Sequence, residues 1–86
     1  KDPALKIMFP PNDARLELAS AGGKPDPVAL KVTGGVEPLT VLVNGLPVAG
    51  SFGKRTMFFK PDGPGFVRLT VIDVKGATDS VMVRLQ

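Results

Sequence analysis

Val67-Arg68-Leu69-Thr70-Val71-Ile72-Asp73, followed past Lys75-Gly76 by Ser80-Val81-Met82-Val83-Arg84-Leu85, decides the fold class of this 86-residue chain. Val67, Leu69 and Val71 alternate with Arg68 and Thr70, and Val81, Val83 and Leu85 alternate with Ser80, Met82 and Arg84. A period of two sets one apolar face on a core and a mixed face toward water, as half-buried strands require. Lys75-Gly76 between the two runs predicts a hairpin.

The same alternation recurs upstream. Leu5, Ile7 and Phe9 form one inward set, Ala14, Leu16 and Leu18 a second, and Val28, Leu30 and Val32 a third. Val41 with Val43, and Met57 with Phe59, continue the series. Turn residues separate the runs: Pro10-Pro11-Asn12-Asp13, Gly22 to Pro27, Gly34-Gly35 and Pro61-Asp62-Gly63-Pro64-Gly65. Asn44-Gly45 is the strongest hairpin signal, because both positions accept positive φ. A short strand is expected after it, near Leu46 to Val48. Ten Gly and nine Pro interrupt any long helix, and no helical period is present. The expected fold is all-β, a small antiparallel Ig-like β-sandwich of about seven main strands, filling residues 1–86 as one domain. The opening Lys1-Asp2-Pro3 reads as that of a piece cut from a longer protein.

Composition removes several kinds of chemistry. Without Cys there are no disulfides and no thiolate metal sites, and without His the commonest general base and metal ligand are missing. No calcium loop is spelled out, and no cofactor is expected. The net charge is +3, but the eleven Lys and Arg are scattered and form no nucleic-acid arm. Tyr and Trp are absent, which leaves poor stacking platforms. No apolar run approaches the roughly 20 residues of a membrane span.

One catalytic pattern needs weighing. Ser51-Phe52-Gly53-Lys54 reads S-x-x-K, a nucleophile signature that also needs a second polar motif and a K-T-G strand. Neither partner is present, Lys31-Val32-Thr33-Gly34 being interrupted by Val32, and Gly50 and Gly53 flank the Ser as in a loop. No catalytic residue is therefore assigned. Asp13, Asp26, Asp62 and Asp73 sit where turns use Asp side chains. The possible contact surface is the loop Ser51, Phe52 and Lys54 with Arg55, together with Phe58. An exposed Phe58 beside Met8 or Met82 would make a docking patch, whereas a Phe58 under a loop would belong to the core margin.

The order of these features resembles a known family. Lys6-Ile7-Met8-Phe9-Pro10-Pro11 looks like its opening strand, and Leu39 to Val48 is similar to its central hairpin, with Val41 where the family often has Trp. Phe59-Lys60-Pro61 leading through Gly65 to Leu69-Thr70-Val71-Ile72-Asp73 resembles its most distinctive segment, and Gly76 with Ser80 to Val83 its closing hairpin. The family is the C-terminal module of bifunctional class A penicillin-binding proteins of the 1C type. The resemblance implies a non-catalytic module downstream of glycosyltransferase and transpeptidase domains, facing the periplasm and tethered to the inner membrane through its parent. The implied partner is the parent transpeptidase domain or another cell-envelope protein. The alternatives are a peptidoglycan or polysaccharide binder and a spacer repeat of a surface protein.

Overall fold

The computed structural model describes residues 4–18, 20–21, 24–48 and 55–86. Ten strands run through them: β1 (Lys6–Phe9), β2 (Arg15–Leu16), β3 (Ser20–Ala21), β4 (Lys24–Pro25), β5 (Val28–Thr33), β6 (Thr40–Val43), β7 (Leu46–Pro47), β8 (Thr56–Phe59), β9 (Gly65–Ile72) and β10 (Thr78–Leu85). They form a three-stranded sheet in the order β1-β5-β8, a five-stranded sheet in the order β2-β10-β9-β6-β7, and a small β3-β4 ribbon. The chain is an all-β sandwich. Its two N-terminal segments, β1 and β2, join different sheets, a partition that fits the Ig-like expectation.

The alternation quoted at the outset builds the centre. Val67, Leu69, Val71, Val81, Val83 and Leu85 all point inward and are buried. Ile7, Leu30, Val32, Met57 and Phe59 meet them from the three-stranded sheet in one continuous cluster. Each large apolar side chain so buried contributes about 1.5–3 kcal/mol before chain entropy is set against it. Asn44 and Gly45 adopt φ of 51° and 82° and join β6 to β7, as their sequence predicts. Asn44 also receives the Arg68 backbone N–H on Oδ1 at 2.9 Å, which pins the turn to β9.

The expected fold class stands, and the structure differs from the expected pattern in four details. The sandwich is not wholly antiparallel, because β2 runs parallel to β10 with Arg15 opposite Arg84 and Leu16 opposite Leu85. The chain reaches that edge by crossing between sheets after β1, so no hairpin dictates its direction. The second inward run shrinks to the two residues of β2, although Ala14, Leu16 and Leu18 do pack against the core. Within the expected turn Gly22 to Pro27, Lys24 and Pro25 pair with Ala21 and Ser20 as a strand. A proline is tolerated there because a two-stranded ribbon consists only of edges. Finally, Phe9 does not point inward. Ile7 pairs with Val32 but Phe9 pairs with Lys31, so Met8 is an extra residue in the ladder. This bulge turns Phe9 to the outer face, where it is 39% exposed.

Candidate functional site

Of the five residues expected to form a contact surface, Ser51, Phe52 and Lys54 lie outside the described residues. Arg55 and Phe58 are described, and the fold does not bring them together. The Arg55 guanidinium reaches back to the turn before β6, where Nε donates to Glu37 Oε2 at 3.0 Å and Nη1 donates to the Gly34 carbonyl. Its charge is engaged within the molecule. As an exposed ion pair it adds at most about 1 kcal/mol.

Phe58 behaves differently. Alternation along β8 sends Met57 and Phe59 inward and Thr56 and Phe58 outward. Phe58 is 64% exposed and lies opposite Ala29 of β5. It is therefore a surface residue and not part of the core margin. Met8 and Phe9 are exposed on β1 at the other side of β5. Met82 belongs to the other sheet and takes no part in this patch. The outer face of β1-β5-β8 thus carries Phe9 beside Lys31 on one flank of β5 and Phe58 beside Ala29 on the other.

The buried carboxylate of Asp73 ties the β9-β10 turn to the connection between β5 and β6. Its Oδ2 accepts the Val36 N–H at 3.0 Å, and its Oδ1 accepts the Lys75 and Ala77 N–H groups at 2.9 Å each. Burial alone would raise its pKa. The three backbone donors, aided by the Lys75 charge, outweigh that effect and hold the carboxyl below its ordinary value. Asp79 plays a similar joining role, accepting the Ile7 N–H at 2.8 Å between β10 and β1. Both acids are consumed in backbone hydrogen bonds, so neither is placed as a general acid or base. Among the described residues no group of three or more acids could hold a metal ion.

A family comparison matches residues 1–85 to the Penicillin-Binding Protein C-terminus Family. The chain belongs to that family. No curated protein and no solved structure matches it. For this penicillin-binding protein C-terminal domain, the segments that carry the sequence resemblance turn out to be scaffold. Leu69 and Val71 are wholly buried, Asp73 closes the β9-β10 turn, and Asn44-Gly45 closes β6-β7. Membership points to a cell-envelope protein, and among the described residues no helix is long and apolar enough to cross a membrane.

Proposed function

We propose that this penicillin-binding protein C-terminal domain is a non-catalytic accessory module of a bifunctional peptidoglycan synthase. It works on the periplasmic side in cell-wall synthesis, tethered to the inner membrane through its parent. It docks on the parent transpeptidase domain and holds it in position. Family membership across residues 1–85 supports the parentage. The observation that carries the docking role is Phe58, an aromatic side chain 64% exposed in a sheet whose flanking β1 also exposes Met8 and Phe9. Met and aromatic side chains gathered on a solvent face are the composition of a protein interface.

A polysaccharide-binding role finds less support. Among the described residues the exposed aromatics do not make a paired platform: Phe9 and Phe58 are separated by β5, and Phe66 lies on the opposite sheet. The test is a titration of the isotope-labelled domain, followed by amide shifts, with the parent's catalytic part and separately with muropeptides. The docking role requires shifts at Met8, Phe9, Ala29 and Phe58 with the catalytic part. Shifts with muropeptides alone, or silence with both, would overturn it.

A further inference from the structure

The five-stranded sheet turns a second face to solvent, on the opposite side of the sandwich from Phe58. Arg15 of β2, Arg84 of β10 and Phe66 of β9 form a row across it, Arg84 being the register partner of both neighbours. Arg68 lies opposite Met82 in the next outward row. All three arginines are exposed, and Phe66 is 69% exposed. Residues scattered by as many as 69 positions in sequence are thereby gathered into one basic patch, and Asp13, Arg15, Phe66, Met82 and Arg84 line a depression there.

Two features of the patch point to an anionic ligand. Arg15 and Arg84 face each other across adjacent strands, about 5 Å apart at the backbone, and like charges so placed destabilise a sheet. Neither guanidinium makes an ion pair with a carboxylate among the described residues. Among the described residues the ion pair present is Arg55 with Glu37, while the Asp13 carboxylate meets only the Asn12 amide, at 3.4 Å. The second feature is the Arg84 guanidinium, whose carbon lies 5.7 Å from the centroid of the Phe66 ring. That contact holds the guanidinium beside the ring, and its N–H donors suit a planar carboxylate acceptor. It also covers a ring face that a sugar would need for stacking.

We propose that this face binds an extended, carboxylate-rich segment of a partner protein. Arg84 and Arg68 are diagonal neighbours on adjacent strands, a relationship that spans about 7–8 Å. Alternate side chains of an extended peptide repeat at about 7 Å, so acids two residues apart meet both arginines. Phe66 and Met82 between them receive the apolar side of such a chain. This surface is distinct from the Phe58 face and does not depend on what that face binds.

The probe is a short peptide of alternating Glu and Ser, titrated into the isotope-labelled domain. Amide and guanidinium Nε shifts are expected at Arg15, Phe66, Arg68 and Arg84, weakening as salt screens the charges. Arg84→Gln and Arg68→Gln should each weaken binding about tenfold, the loss of one charge-assisted pair, in domains whose spectra stay dispersed. Muropeptides and vesicles of anionic phospholipid run in parallel. Shifts at these residues with either of those but not with the peptide, shifts spread equally over Lys6 and Lys31, an unaltered affinity in both variants, or no shift at all would overturn the proposal.

Discussion

The Asp73 carboxylate and the Val36 amide meet at 3.0 Å across 37 residues of sequence, tying the β9-β10 turn to the connection between β5 and β6. The other oxygen of the same carboxylate organises the turn itself through Lys75 and Ala77. Because the folded pKa is lowered, the ionised form stabilises the fold, fully so above the unfolded pKa and progressively less as pH falls through the folded one. Asp73→Asn replaces one acceptor oxygen with a donor that faces N–H groups. A lower urea midpoint is expected for the variant at neutral pH. Its deficit against the wild type should shrink as pH falls past the ordinary carboxylate range, where the unfolded chain takes up a proton first, and vanish once the folded carboxyl is protonated too. A pH-independent gap would show that the charge contributes nothing.

Core register gives a second test. Leu69 is 0% and Val83 1% exposed, at the centre of the β9-β10 pair. Leu69→Ala or Val83→Ala should cost about 2–4 kcal/mol, through lost transfer energy and the cavity left behind. Thr70 points outward, its hydroxyl sharing a 2.8 Å hydrogen bond with Ser80. Thr70→Ala should cost about 1 kcal/mol or less. Equal urea midpoints for the three variants would contradict the register.

How far the sequence discloses this molecule varies along it. In β9 and β10 every inward residue is legible, because eight-residue strands offer the alternation no ambiguity. In β1 the alternation misplaces Phe9, since a single inserted residue reverses the sides and leaves no mark in composition. Leu39 is fully buried yet escapes notice, for it stands just ahead of β6 and after a proline, outside any periodic run. The Arg15, Arg68 and Arg84 patch is invisible in the linear sequence because only strand order and register bring its members together. At Phe58 the sequence leaves surface and core margin both open and the β8 register decides for the surface, whereas the engagement of Arg55 with Glu37 depends on a turn placed by the fold.

Gly35 and Gly45 separate backbone strain from close packing. Both have positive φ, 71° and 82°. A Cβ on Gly35 would sit 2.7 Å from Leu5 Cδ1 and 3.3 Å from Leu5 Cβ, whereas one on Gly45 meets nothing within 4 Å. Gly45→Ala should therefore cost only the left-handed backbone penalty, about 1–2 kcal/mol. Gly35→Ala should lower the thermal midpoint further, because Leu5 is buried and has little room to move. Identical midpoints would mean that the Leu5 contact is relieved without cost.

Phe58 and Phe59 are adjacent but face opposite ways, 64% and 5% exposed. Phe59→Ala removes a buried ring and should cost about 3–5 kcal/mol. Phe58→Ser should change stability by no more than about 0.5 kcal/mol, as for other exposed positions. That difference makes Phe58→Ser a clean probe of docking. If the outer face of β1-β5-β8 seats the parent transpeptidase domain, the variant keeps a dispersed spectrum and a wild-type urea midpoint yet loses the amide shifts at Met8 and Ala29 when the catalytic part is added. Retention of those shifts in a folded Phe58→Ser domain would remove this face from the docking surface, while the Arg84 patch on the opposite sheet would be unaffected.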